Sequence, residues 1–100
     1  MSTQPLTRRL TLRQAGVERP VTVSIGWPDI DPDRRCWGCT LTAPFLFKSP
    51  IIIYGDDGVQ ALLLSLNFIC REIKTLQEHG ITVYWTSPGD EGDLVRSVMQ

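Results

Sequence analysis

The sequence is short of the residues that most enzyme classes need. It holds a single histidine, His79, and contains no Ser-centred nucleophile elbow, no phosphate-binding loop and no glycine-rich dinucleotide fingerprint. It lacks a basic excess as well: ten Lys and Arg stand against eleven Asp and Glu, for a net charge of −1 and a pI of about 5.7. That argues against a general nucleic-acid coat, which needs clustered positive charge. The longest apolar stretch falls well short of the about 20 residues that a membrane helix requires. The opening residues Met1 to Arg9 include no apolar run of the kind found in a signal peptide, so the expected compartment is the cytoplasm. Three cysteines cannot all pair within one chain, and in a reducing compartment thiols are expected. No internal repeat is visible. Hydrophobic residues at 42% and charged residues at 21% exclude a disordered chain, and 100 residues suffice for one modest core. The expectation is one domain, 1–100, with 1–5 and 94–100 flexible.

What the chain does have is one long apolar segment. Val59, Leu62, Leu63, Leu66, Ile69, Cys70, Ile73 and Leu76 recur at spacings of three and four, which predicts a helix over 58–79 with these residues on its buried stripe. Asp57 followed by Gln60 has the form of a capping box, and Gly80 after His79 suits a left-handed residue that ends the helix. Ala61, Leu64 and Phe68 lie off the stripe, so the first half is apolar almost all round and is expected to be the more deeply covered.

Around this helix the pattern changes to period two. Leu6, Arg8, Leu10 and Leu12 alternate with Thr7, Arg9, Thr11 and Arg13, and Arg8 on the inward row fits an edge strand. After a turn at Gln14-Ala15-Gly16, a second strand puts Val21, Val23, Ile25 and Trp27 inward, with Pro20 at an edge or bulge. The stretch 28–33, rich in proline and aspartate, predicts a loop. Arg35, Trp37, Cys39, Leu41 and Ala43 form the inward row of a third strand, 50–54 a fourth with 44–48 as its extension or bulge, and Ile81, Val83 and Trp85 the inward row of a fifth, leaving Thr82, Tyr84 and Thr86 outward. Residues 87–93 are loop by composition, and Leu94 to Met99 is either a short strand or a disordered end. The expected fold is α+β: a four- to five-stranded antiparallel sheet in the order ββββαβ, one face on the long helix and the other polar.

The stretches Glu18 to Gly26, Arg35-Cys36 and Tyr54 to Leu64 resemble a bacterial family known as DUF6968, a domain of unknown function. The resemblance implies a bacterial, cytoplasmic, single-domain protein. It brings no activity and no site residues.

Several residue groups invite a functional reading. Cys36-Trp37-Gly38-Cys39 is a C-x-x-C motif, but on a strand positions i and i+3 point to opposite faces, so Cys36 and Cys39 would not form a dithiol. A zinc site would need Cys70 and His79 too, and these stand about 13 Å apart along the predicted helix. Asp29, Asp31 and Asp33 have the spacing that opens a calcium loop, yet Arg34 and Thr40 occupy the positions where that loop needs Gly and Glu. Arg9, Arg13 and Arg34 could share the polar sheet face and bind a phosphate backbone or an acidic partner, with Asp29, Asp31, Asp33 and Glu18 near enough to neutralise them. His79 suits a helix C-terminus, a role that needs no chemistry. Trp27, Trp37 and Trp85 fall on inward rows and read as core.

No catalytic residue, cofactor, metal or small-molecule substrate is identified by these patterns. They point to a non-enzymatic module that binds a protein partner or itself, an adaptor, inhibitor or immunity-like protein by analogy with other small sheet-plus-helix domains. The surface would be the polar sheet face or an open edge. The rival reading is a redox or metal protein using Cys36 and Cys39, and a third is nucleic-acid contact through the N-terminal arginines.

Overall fold

A computed structural model describes residues 4–84 of the chain. Six strands and one helix follow in the order β1 (Leu6–Gln14), β2 (Val17–Ile25), β3 (Asp29–Asp31), β4 (Cys36–Thr42), β5 (Ile51–Gly55), α1 (Gly58–Glu78) and β6 (Thr82–Tyr84). Every strand pairing is antiparallel.

The β1–β2 hairpin is the longest pairing, running from Leu6 opposite Ile25 to Gln14 opposite Val17. Its two-residue turn places Ala15 and Gly16 at positive φ, 52° and 77°, the twist that joins two antiparallel strands without splaying them. Along β4, Leu41 faces both Ile25 of β2 and Ile51 of β5, and Trp37 faces both Ile30 of β3 and Gly55 of β5. Thus β2 and β3 share one edge of β4 while β5 takes the other, and across the sheet the order is β5-β4-β2-β1-β6. Pro20 sits opposite Thr11 in the part of β2 that reaches beyond β4, where a missing N–H is tolerated.

The stretch 28–33 therefore contains a strand where a loop was expected. Ile30 between two aspartates pairs with Trp37, and β3 resumes the path of β2 once the chain has turned through Trp27 and Pro28. Residues 44–48 correct the expectation in the other direction. Ala43 C=O accepts from both Leu46 N–H and Phe47 N–H, which makes a tight turn of this stretch and not a strand extension.

Helix α1 begins and ends as its sequence dictates. Asp57 Oδ1 accepts from Gln60 N–H (2.7 Å), and Gln60 Oε1 reaches back to Asp56 N–H (2.6 Å), one residue earlier than in the usual capping box. At the far end Gly80 takes φ 82°. Its N–H donates to Gln77 C=O and that of Ile81 to Leu76 C=O, the paired bonds of a Schellman motif.

The helix buries the expected stripe only in part: Ile69 and Ile73 are in the core and Leu62, Leu66, Cys70 and Leu76 pack half-buried against it, but Val59 and Leu63 do not. Its fully buried residues are Ala61, Ser65, Ile69 and Ile73, while Val59 is 70% exposed and Leu63 50%. Leu64, off the stripe, is also exposed, so the first half is not the more deeply covered part of the helix that was expected. The cause is how closely α1 approaches β5: a Cβ on Gly55 would lie 2.5 Å from Ala61 N and 2.9 Å from Ala61 Cα. Only small residues fit between backbones so near each other. The core gathers Leu10, Leu12, Val21, Val23, Ile25, Cys39, Leu41, Ala43 and Val83 from the sheet against this narrow line. Trp37 packs half-buried at its margin, but Trp27 is 53% exposed because the chain leaves the sheet there to reach Pro28. Trp85 lies outside the described residues, as do 86–100 and with them Leu94 to Met99, expected to be either a short strand or a disordered end. Tyr84, expected on the polar face, stands opposite Thr11 and is buried.

Candidate functional site

The C-x-x-C pair separates as strand geometry requires. Cys39 is fully buried, opposite Ile53, and its thiol lies against Ser65 of α1; burial raises its pKa above 9.0, the Ser65 hydrogen bond opposing that in part. Cys36, on the other face at the start of β4, is half-buried, and both are free thiols. Ser65 is itself held, its Oγ donating to Ala61 C=O at 2.7 Å. Cys39 thus serves as a small apolar residue beneath the helix.

The arginines fall into two places. Arg9 and Arg13 are exposed on β1, opposite Thr22 and Glu18. Arg34 lies beyond β3, its guanidinium 4.7 Å from the Tyr54 ring centroid and its Nε 3.7 Å from Asp31 Oδ2. Tyr54 is on β5, three strands from β1, a lateral distance of about 14 Å. Strand order therefore keeps Arg34 from joining Arg9 and Arg13 in one cluster. Asp31 is engaged in its own turn, Oδ1 accepting from the N–H groups of Asp33 (3.1 Å) and Arg34 (3.3 Å). His79 Nδ1 donates to Thr75 C=O at 2.8 Å, which ties the imidazole to the end of the helix. Among the described residues no three His, Cys, Asp or Glu side chains converge on one point, and no helix is long and apolar enough to cross a membrane.

The feature that the packing leaves incomplete is the edge formed by β5. This strand pairs with β4 alone among the described residues. Its inward residues Ile51 and Ile53 stay half-buried, whereas Leu41 and Cys39, opposite them on β4, have no exposure at all. On the outer face Ile52 is 50% exposed. Gly38, opposite Tyr54, leaves room for these side chains to lie flat: a Cβ there would meet Ile52 Cγ2 at 2.8 Å and the Tyr54 ring at 3.3 Å. Ile51 to Tyr54 contains no charge, proline or bulge, the devices that ordinarily blunt a strand edge. The run Ile-Ile-Ile-Tyr signals a strand in sequence, but only the pairing partners reveal that it lies at an edge.

Compared with known proteins, the chain matches the family DUF6968, a domain of unknown function, over residues 6–95, and it belongs to that family. No curated protein and no solved structure matches it.

Proposed function

We propose that this member of the DUF6968 family is a non-enzymatic protein-binding module of the bacterial cytoplasm that works by strand addition at β5. One observation carries the reading: β5 is an uncharged strand of high β-propensity whose second edge is unpaired among the described residues. The occupant is a second copy of the chain. An antiparallel pair of identical strands about a two-fold axis matches each donor to an acceptor without any further complementarity. Between Ile51 and Tyr54 no charge would be set against its own copy, and a net charge of −1 adds little repulsion. Joining the two sheets would complete the cover over Ile51 and Ile53.

Sedimentation velocity over a range of concentrations tests this. A monomer–dimer equilibrium is expected, and Ile52→Lys, which sets like charges across the new pair while its stem still covers Gly38, is expected to leave a folded monomer. A chain that stays monomeric at the highest concentrations, or an Ile52→Lys variant that still dimerises, would overturn the reading.

A further inference from the structure

Successive residues of an antiparallel strand turn their N–H and C=O groups to alternate sides, so one hydrogen bond fixes the alternation along a regular ladder. Gly26 N–H donates to Thr40 C=O at 2.8 Å, which aims the backbone groups of Thr40 toward β2. Those of Cys39 and Leu41 therefore aim toward β5, where these residues oppose Ile53 and Ile51. It follows that Ile51, Ile53 and Gly55 direct their backbone groups to β4. The edge of β5 left unpaired among the described residues presents the N–H and C=O of Ile52 and Tyr54. Both ends of this short row are closed: Pro50 has no N–H, and Asp56 N–H already donates to Gln60 Oε1 at 2.6 Å.

A second copy meets this row about a two-fold axis in few registers. Opposed residues share a face of the sheet, so the axis passes through a residue and not between two. Centred on Ile52, the pair sets Tyr54 against Pro50, and Tyr54 C=O is left without a donor. Centred on Tyr54, it sets Ile52 against Asp56, whose N–H is taken. Centred on Ile53, it sets Ile52 of each copy against Tyr54 of the other, and every N–H of the edge meets a C=O. On the helix-facing side Ile53 then lies beside its own counterpart, and Ile51 beside Gly55 of the other copy, which has no side chain to oppose it.

We propose that two copies join in this one register, with Ile53 on the axis and with Pro50 and Gln60 as the residues that exclude the registers on either side. The assignment rests on strand addition at β5. Cysteine scanning tests it in a full chain carrying Cys36→Ala, Cys39→Ala and Cys70→Ala, once thermal unfolding and sedimentation establish that this background folds and dimerises. Ile53 and its counterpart form a non-hydrogen-bonded pair, at a Cα separation of about 4.5 Å that a disulfide spans. Ile52 and Tyr54 each lie diagonal to their own counterparts, about 7–8 Å apart and beyond that reach. Mild oxidation is expected to link Ile53→Cys at least about tenfold faster than Ile52→Cys or Tyr54→Cys. A second measurement needs no substitution: in a dimer of isotopically labelled and unlabelled chains, NMR should show a nuclear Overhauser effect between the Ile53 Hα atoms of the two copies. If the unaltered chain sediments as a monomer, strand addition fails and the register with it. Fastest cross-linking at 52 or 54 would overturn the register alone. A dimer linked at none of the three positions, and without the Ile53 contact, would place the interface elsewhere and overturn both.

Discussion

Ala61, Ser65, Ile69 and Ile73 run along one line of α1 and are all buried, while Val59, Leu63 and Leu64, larger on average, are exposed on the same helix. The difference teaches that the approach of two backbones, and not the apolarity of a side chain, selects the face that goes inside. Where Gly55 brings β5 against the first turn, a leucine would hold helix and sheet apart. Residue size then grows along the buried line from Ala61 and Ser65 to Ile69 and Ile73. The leucines excluded from this contact flank it instead, and two of them, Leu62 and Leu66, wall a cleft on the β1–β2 side.

The sharpest way to break the buried line is to widen or empty it. Gly55→Ala drives a methyl into the Ala61 backbone, and Ile69→Ala leaves a cavity; each is expected to cost about 3 kcal/mol in urea unfolding. If Gly55→Ala is neutral, the close approach is not what orders the helix. Next in size is the contrast between the thiols that the sheet separates. Alkylation of Cys39 in the native protein should be at least about tenfold slower than that of Cys36, because it requires opening of the core. The raised pKa of Cys39 sets the sign of the accompanying pH effect. Below 9.0, the ordinary value, both folded and unfolded thiols are protonated and stability is unaffected. Above it the unfolded thiol ionises first, so stability falls as pH rises, and Cys39→Ala should remove that component of the decline.

Smaller effects test the helix start and its exposed side. Asp57→Ala removes the acceptor for Gln60 N–H and should cost about 1 kcal/mol by the same measurement. Val59→Gln and Leu63→Gln should each change stability by no more than about 0.5 kcal/mol, as substitutions at exposed positions do. A loss near that of Ile69→Ala would mean that these residues are buried after all.

Much of the fold can be read locally. Period-two rows define the inward faces of β1, β2 and β4, and the capping residues Asp57, Gln60 and Gly80 bound α1, because each of these signals involves neighbours within a few positions. Trp27 and Ile30 defeat the same logic. Trp27 continues an inward row but is carried out of the sheet at Pro28, and Ile30 forms a strand between aspartates only because Trp37 is there to pair with it. The separation of Cys36 from Cys39 follows from strand parity alone. That Arg34 stacks on Tyr54, far from Arg9 and Arg13, depends on strand order, which alternation does not encode.

By itself, then, the sequence determined the α+β class, the order of the main elements apart from β3, the capped ends of the helix and the antiparallel hairpins, all properties of short-range steric and hydrogen-bonding preference. Tertiary structure alone decided which strand lies at the edge and which side of α1 meets the sheet. Those outcomes depend on contacts between residues distant in the chain, where a missing Cβ at Gly55 outweighs the apolarity of Val59, Leu63 and Leu64.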